Sequence, residues 1–210
     1  MDGKCSNGLQ VSGLACSRDD RLLFSGLSFV VAPGEALLLE GSNGSGKTSL
    51  LRILCGFRDA DAGELFWRGR PLVDSDYLVE MAYVGHAEGI KKELTVLENL
   101  RFSRALNQPG KLSIDQALAK VQLAGFDDNA VQTLSAGQKR RLSLARLLIT
   151  ANTLWILDEP FTSLDRQGMA LIETLIGEHV AAGGMVVMTS HHDLNLPVAR
   201  LQRIHLDTCH

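Results

Sequence analysis

Short apolar runs alternate with polar stretches along the chain, and their lengths separate strands from helices. Ala36-Leu37-Leu38-Leu39-Glu40, Leu154-Trp155-Ile156-Leu157 and Met185-Val186-Val187-Met188-Thr189 are continuous, short and bounded by polar residues or glycine. Such runs predict strands buried on both faces. Leu9–Leu14, Leu27–Val31, Ala62–Trp67 and Met81–Val84 read as further strands. Thr48–Leu54 reads as a helix, and the stretch from about Leu94 to Ile149 is helical in pattern. Within it Ser113-Ile114-Asp115-Gln116 has capping-box spacing and opens one helix, and Leu142, Ala145, Leu148 and Ile149 recur at helical spacing in another. Arg166–Ala182 is a further helix, stopped by Gly183-Gly184. Strands at both ends around a helical insert predict an α/β fold, a mostly parallel sheet flanked by helices.

The chain has 210 residues, which suits one large domain or a core with a subdomain. With 45% hydrophobic and 21% charged residues it has the composition of an ordinary globular protein. The net charge of −3 argues against a broad nucleic-acid surface, so no nucleic-acid partner is expected. No apolar run approaches the ~18–20 residues that cross a bilayer. Met1-Asp2-Gly3-Lys4-Cys5-Ser6-Asn7 has no apolar core, so no secretory signal is expected. Cys5, Cys16, Cys55 and Cys209 are scattered without CxxC spacing, which predicts free thiols in a reducing compartment.

The segment between the Ala36–Glu40 strand and the following helix changes the picture. Gly41-Ser42-Asn43-Gly44-Ser45-Gly46-Lys47-Thr48 is a complete phosphate-binding loop, continued by Ser49. A glycine-rich turn lets successive backbone N–H groups face phosphate oxygens, and the helix starting near Lys47 adds its positive dipole end. Lys47 is placed to reach the β- and γ-phosphates of a nucleoside triphosphate, and the Thr48 hydroxyl to ligate Mg²⁺. Leu154–Leu157 ends in Asp158-Glu159. Alone, this is a strand end before Pro160. Beside a phosphate loop, the carboxylates would emerge where open α/β sheets bind ligands. Asp158 is then a second Mg²⁺ residue and Glu159 polarises the attacking water.

Leu134-Ser135-Ala136-Gly137-Gln138-Lys139-Arg140-Arg141 can be read as a serine cap on a basic helix. Its LSxGQ order, with the Asp-Glu pair downstream, resembles the signature of the ATP-binding cassette (ABC) superfamily. The resemblance covers about Leu9 to Leu206. It implies a P-loop ATPase fold: a mostly parallel core, an antiparallel β part and an inserted helical subdomain. A single domain over 1–210 would then divide into a core, about 1–86 and 150–210, and a helical subdomain, about 87–149. It also implies that Ser135, Gly137 and Gln138 complete the ATP site of a second copy, so that the chain works as a homodimer. Asp165, in Ser163-Leu164-Asp165, matches the interfacial D-loop. His191 matches the switch histidine at the γ-phosphate, with His192 its ambiguous neighbour.

Arg18 through Phe29, Glu40-Gly41-Ser42-Asn43-Gly44 and Gly85-His86-Ala87-Glu88-Gly89-Ile90-Lys91 narrow the likeness. Leu94-Thr95-Val96-Leu97-Glu98-Asn99-Leu100 follows but is widespread in the superfamily. These stretches are similar to the ATP-binding subunits of the cytochrome c maturation heme exporter (CcmA type). That similarity implies ATP and Mg²⁺ as cofactors and an integral membrane partner of CcmB type. It also implies a peripheral place on the cytoplasmic face of an inner membrane. The chain departs from the superfamily at two places. Ala87 stands where a glutamine is usual, so that either His86 or Glu88 substitutes or the coupling to the membrane partner runs differently, and Arg18 stands where an aromatic ring usually stacks on adenine. A guanidinium can stack on a base, and it can equally be a solvated surface charge. The alternative function is an ABC ATPase outside heme export, such as a soluble assembly ATPase, or a binding-only regulator.

Overall fold

In the computed structural model, residues 7–19, 21–85, 89–190, 196 and 198–208 are described. In chain order the elements are β1 (Leu9–Arg18), β2 (Arg21–Val31), β3 (Ala36–Glu40), α1 (Lys47–Leu54), β4 (Ala62–Trp67), β5 (Arg70–Pro71), α2 (Tyr77–Glu80), β6 (Met81–Val84), α3 (Val96–Leu106), α4 (Ile114–Lys120), α5 (Ala136–Leu148), β7 (Leu154–Leu157), α6 (Arg166–Ala181), β8 (Met185–Thr189) and β9 (Leu201–His205). The continuous apolar runs β3, β7 and β8 pair in parallel with β6 and the edge strand β9, in the order β6-β7-β8-β3-β9. The first strands form an antiparallel sheet, β2-β1-β4-β5.

Strand side chains alternate between faces, so a run with no polar position must have a core on each side. Leu37, Leu39, Leu154, Ile156, Met185 and Val187 pack with α1 and the antiparallel sheet. Their neighbours Ala36, Leu38, Trp155, Leu157, Val186 and Met188 pack with α3, α4, α5 and α6. Fully burying one such aliphatic side chain contributes about 1.5–3 kcal/mol. Truncating Leu38, which is 1% exposed, to alanine should cost about 2–5 kcal/mol.

Three helices on the second face begin with a reciprocal capping box: Thr95 with Glu98, Ser113 with Gln116, and Ser135 with Gln138. Each box satisfies otherwise orphaned N–H groups and fixes where its helix starts. Gly183 at φ 89° follows α6, as the glycine stop predicts.

The first hairpin is longer than the pattern predicts. β1 continues past Leu14 to Arg18 because register shifts around Val11, Leu14, Cys16 and Ser17 break the alternation without ending the pairing. Strand β9 escapes the pattern for a different reason. It is an edge strand whose residues are exposed or half-buried, so it carries no apolar run.

Candidate active site

Strands β3, β7 and β8 lie side by side and parallel, so their C-terminal ends open on one edge. The phosphate loop leaves β3, Asp158-Glu159 leaves β7, and Thr189-Ser190 ends and follows β8. Two glycines make the loop possible. Gly46 has φ 102°, and a Cβ there would sit 3.1 Å from both Leu23 and the Phe24 ring. At Gly41, φ 145°, a Cβ would fall 2.6 Å from Ser45 Oγ. Gly46 caps α1 without any side-chain hydrogen bond, so the first-turn N–H groups face the loop. Lys47 is buried and lies over the turn, its Nζ donating to Gly41 O at 2.6 Å and Ser42 O at 3.0 Å.

Thr48 Oγ1 donates to Asp158 Oδ2 at 3.3 Å, which brings together two hard oxygen donors from positions 110 residues apart. Asp158 is only 6% exposed. Its other oxygen accepts from Thr189 Oγ1 at 2.9 Å, and the same hydroxyl accepts from Glu159 N–H at 2.9 Å. Glu159 has a left-handed backbone, φ 51°, unusual for a residue with a side chain. Arg140, buried on α5, donates to the carbonyls of Asp158, Glu159, Pro160 and Gly85.

A cavity of about 520 Å³ joins these groups. Its floor is Asn43, Gly44, Gly46, Lys47, Thr48 and Ser49, with Asp158 and Glu159 at one side. The hairpin tip, with Arg18, Asp19, Arg21 and Leu23, forms the other side. Arg18 is two-thirds exposed and pairs with Asp19 at 3.4 Å on this wall. Ser42 turns away toward the end of the chain: its N–H and Oγ donate to Asp207 at 2.8 and 2.7 Å. These two bonds hold the Asp207 carboxyl below its ordinary range.

The signature turn is not among the residues lining this cavity. Ser135 Oγ accepts from Gln138 N–H at 3.2 Å, and Gln138 Oε1 accepts from Ser135 N–H at 2.8 Å. Gly137 packs on the neighbouring turn, where a Cβ would meet Ser163 O at 3.0 Å. Asp165 caps α6 by accepting from Gly168 N–H at 2.7 Å.

A family model described as ABC transporter matches residues 24–162. The cytochrome c biogenesis ATP-binding export protein CcmA of Methylococcus capsulatus is 52% identical over 192 residues, covering 90% of this chain and 93% of that protein. This chain belongs to the CcmA family of ABC transporter ATP-binding proteins. Members from Nitrosococcus oceani and Escherichia coli K12 are 50% and 46% identical, covering 93% and 94% of this chain and 91% and 96% of those proteins. Among solved structures, an ABC transporter ATP-binding protein from Pyrococcus furiosus superposes with a TM-score of 0.83 at 21% identity. It covers 96% of this chain and 98% of its own, and it establishes the fold.

Several expected site residues of this CcmA-family chain fall outside the described residues: His191 and His192, and His86, Ala87 and Glu88. Three residues at the site are missing from the sequence expectations. Thr189 ends an apolar strand, Asp207 lies 165 positions from its partner, and Arg140 is one of several cations on a basic helix. Nothing in the local pattern distinguishes them. Only the fold brings each to its partners.

Proposed function

We propose that this chain is the ATP-hydrolysing subunit of an export complex of c-type cytochrome biogenesis. Heme, or release of a heme-loaded chaperone, is the cargo step of its membrane partner. The observation that carries the reading is the convergence of Lys47, Thr48, Asp158 and Glu159 at the shared mouth of β3 and β7.

The loop N–H groups and Lys47 hold the β- and γ-phosphates in this reading. The donor set fits Mg²⁺, which takes oxygen ligands and usually only one or two from protein: the Thr48 hydroxyl and the Asp158 carboxylate already converge. When bound, the ion neutralises charge on the β- and γ-oxygens. Glu159 accepts a proton from water as that water attacks the γ-phosphorus, and the bond to the β–γ bridging oxygen breaks. The role of switch histidine falls to His191 or its neighbour His192, by the family resemblance. Arg18 stacks on the adenine, and Ser49 and Asn43 complete the loop's polar lining.

A homodimer completes the site. Ser135, Gly137, Gln138 and Asp165 of a second copy close over the γ-phosphate, which accords with the signature turn lying outside this chain's own cavity. Ser135 Oγ accepts within its capping box, and its proton is left to donate to a phosphate oxygen. Residues of about 87–149 act as a helical subdomain on the core. Beside them a smaller cavity, about 190 Å³, is lined by Phe57, Tyr83, Asn107 and Arg146, with exposed Phe102 and Leu106 nearby in sequence. An integral membrane subunit of CcmB type docks there, holding the chain peripherally at the cytoplasmic face of the inner membrane. No helix among the described residues is long and apolar enough to cross a membrane.

Glu159→Gln tests the reading: ATP binding should persist while turnover is abolished. Hydrolysis at the parent rate would remove Glu159 as the base. Retrieval of the tagged chain from solubilised membranes with an integral membrane subunit supports the exporter. Retrieval with soluble assembly factors alone would favour an ATPase outside transport.

A further inference from the structure

Arg140 is 3% exposed, and its guanidinium reaches four backbone carbonyls from two separate segments. Nη2 donates to Asp158 O at 2.9 Å and to Glu159 O at 2.6 Å. Nε donates to Pro160 O at 3.1 Å, and Nη1 to Gly85 O at 2.8 Å. A planar fork of donors is the side chain that can serve convergent carbonyls in this way, and it stays charged at any physiological pH. Burying a cation is costly unless its donors are satisfied, so the carbonyls and the guanidinium hold each other in place.

The backbone they fix is strained. Glu159 sits at φ 51°, a conformation that costs energy for a side-chain residue and persists only where the surroundings over-determine it. Here the determinants are visible. Thr189 Oγ1 takes the Glu159 N–H from one side, and Arg140 holds the carbonyls of Asp158, Glu159 and Pro160 from the other. The direction in which the Glu159 carboxylate leaves the strand follows from that backbone.

The same helix grips a second place. Arg146 on α5 donates through Nη1 to Gly89 O at 2.8 Å, and its Nε donates to Ser103 Oγ on α3. Helix α5 therefore holds Gly85 with one arginine and Gly89 with the other. It carries the signature turn at its own start.

We propose that Arg140 is the positioning residue for Glu159. It locks the left-handed turn that aims the carboxylate and makes the strand exit, the Gly85 end of the following loop and the signature helix one rigid unit. A displacement of α5 relative to the sheet then re-aims Glu159 within the same chain. This rests on Glu159 being the base.

The test uses the purified full chain with Arg140→Lys and Arg140→Gln, measured beside Glu159→Gln at equal protein concentration. Lysine keeps the charge but replaces the planar fork with a point donor; glutamine loses the charge and most donors. Hydrolysis should fall about tenfold in the lysine variant and up to about a hundredfold in the glutamine variant, as misaimed catalytic groups do. The ATP KM and the number of ATP molecules bound per chain should stay at the parent values. A merely structural role would instead lower the binding stoichiometry in step with the rate, and that result overturns the proposal. So does a parental kcat in both folded arginine variants while Glu159→Gln is inactive. A parental rate in Glu159→Gln itself would overturn the reading of the base, a distinct failure.

Discussion

The phosphate-loop side of the site and the signature turn are built on opposite principles. The first is braced from far away: Asp158 bonds to Thr48 and Thr189, Ser42 to Asp207, and the β7 exit to Arg140, all across long sequence separations. The second is satisfied by its own neighbours, since Ser135 and Gln138 exchange hydrogen bonds three residues apart. A group braced by tertiary contacts is aimed only in the finished fold, whereas a self-capped turn keeps its shape wherever the helix goes. One chain thus holds a loop fixed by distant parts of the fold and a cap complete in itself, the pairing that the proposed shared site calls for.

The contrast can be broken most forcefully at Lys47. Lys47→Ala should weaken ATP binding by about 3 kcal/mol, roughly a hundredfold in Kd, since it removes charge-assisted bonds to phosphate. Isothermal titration checks this, and binding at parental Kd would mean the braced side is not the receiver. Next is the underside of β7. His179 stacks on Trp155 with ring centroids 3.7 Å apart, and burial pushes its pKa down to about 4. The ordinary value is about 6.5, so between the two the unfolded chain binds the extra proton and stability falls with falling pH. At about pH 5 the loss should reach about 2 kcal/mol relative to neutral pH, and His179→Gln should flatten the dependence in urea melts. The smallest effect on the fold belongs to the turn. Ser135→Ala should cost about 1 kcal/mol in the same melts, the value of one cap, with ATP binding by separated chains unchanged. A loss of binding as large as that of Lys47→Ala would place the turn within its own chain's receiver.

Legibility in the sequence follows the same division. The strands carrying Leu37, Ile156 and Val187 are plain because burial on both faces leaves no polar position. The phosphate loop, Asp158 and Glu159 are plain because their spacing is dictated by chemistry, and the 134–138 turn because its cap is local. The edge strand β9 and the bulged run of β1 are hidden, since edge position and register shifts erase periodicity. Arg140 is hidden for another reason: among Lys139, Arg141 and Arg146 nothing local says which cation turns inward. Arg18 is where the sequence left two readings, and the structure places it on the cavity wall, exposed and beside Asp19.

The order of synthesis gives the contact between Ser42 and Asp207 a temporal meaning. The strand that delivers the phosphate loop gains its outer neighbour from Leu201–His205, and the loop's second residue, Ser42, gains its anchor from Asp207. Both emerge from the ribosome long after residues 36–48. A nascent chain can therefore display the whole glycine-rich motif while its edge is still unpaired and its entry untethered. These two supports of the loop's entry are complete only once residues 201–207 have been made.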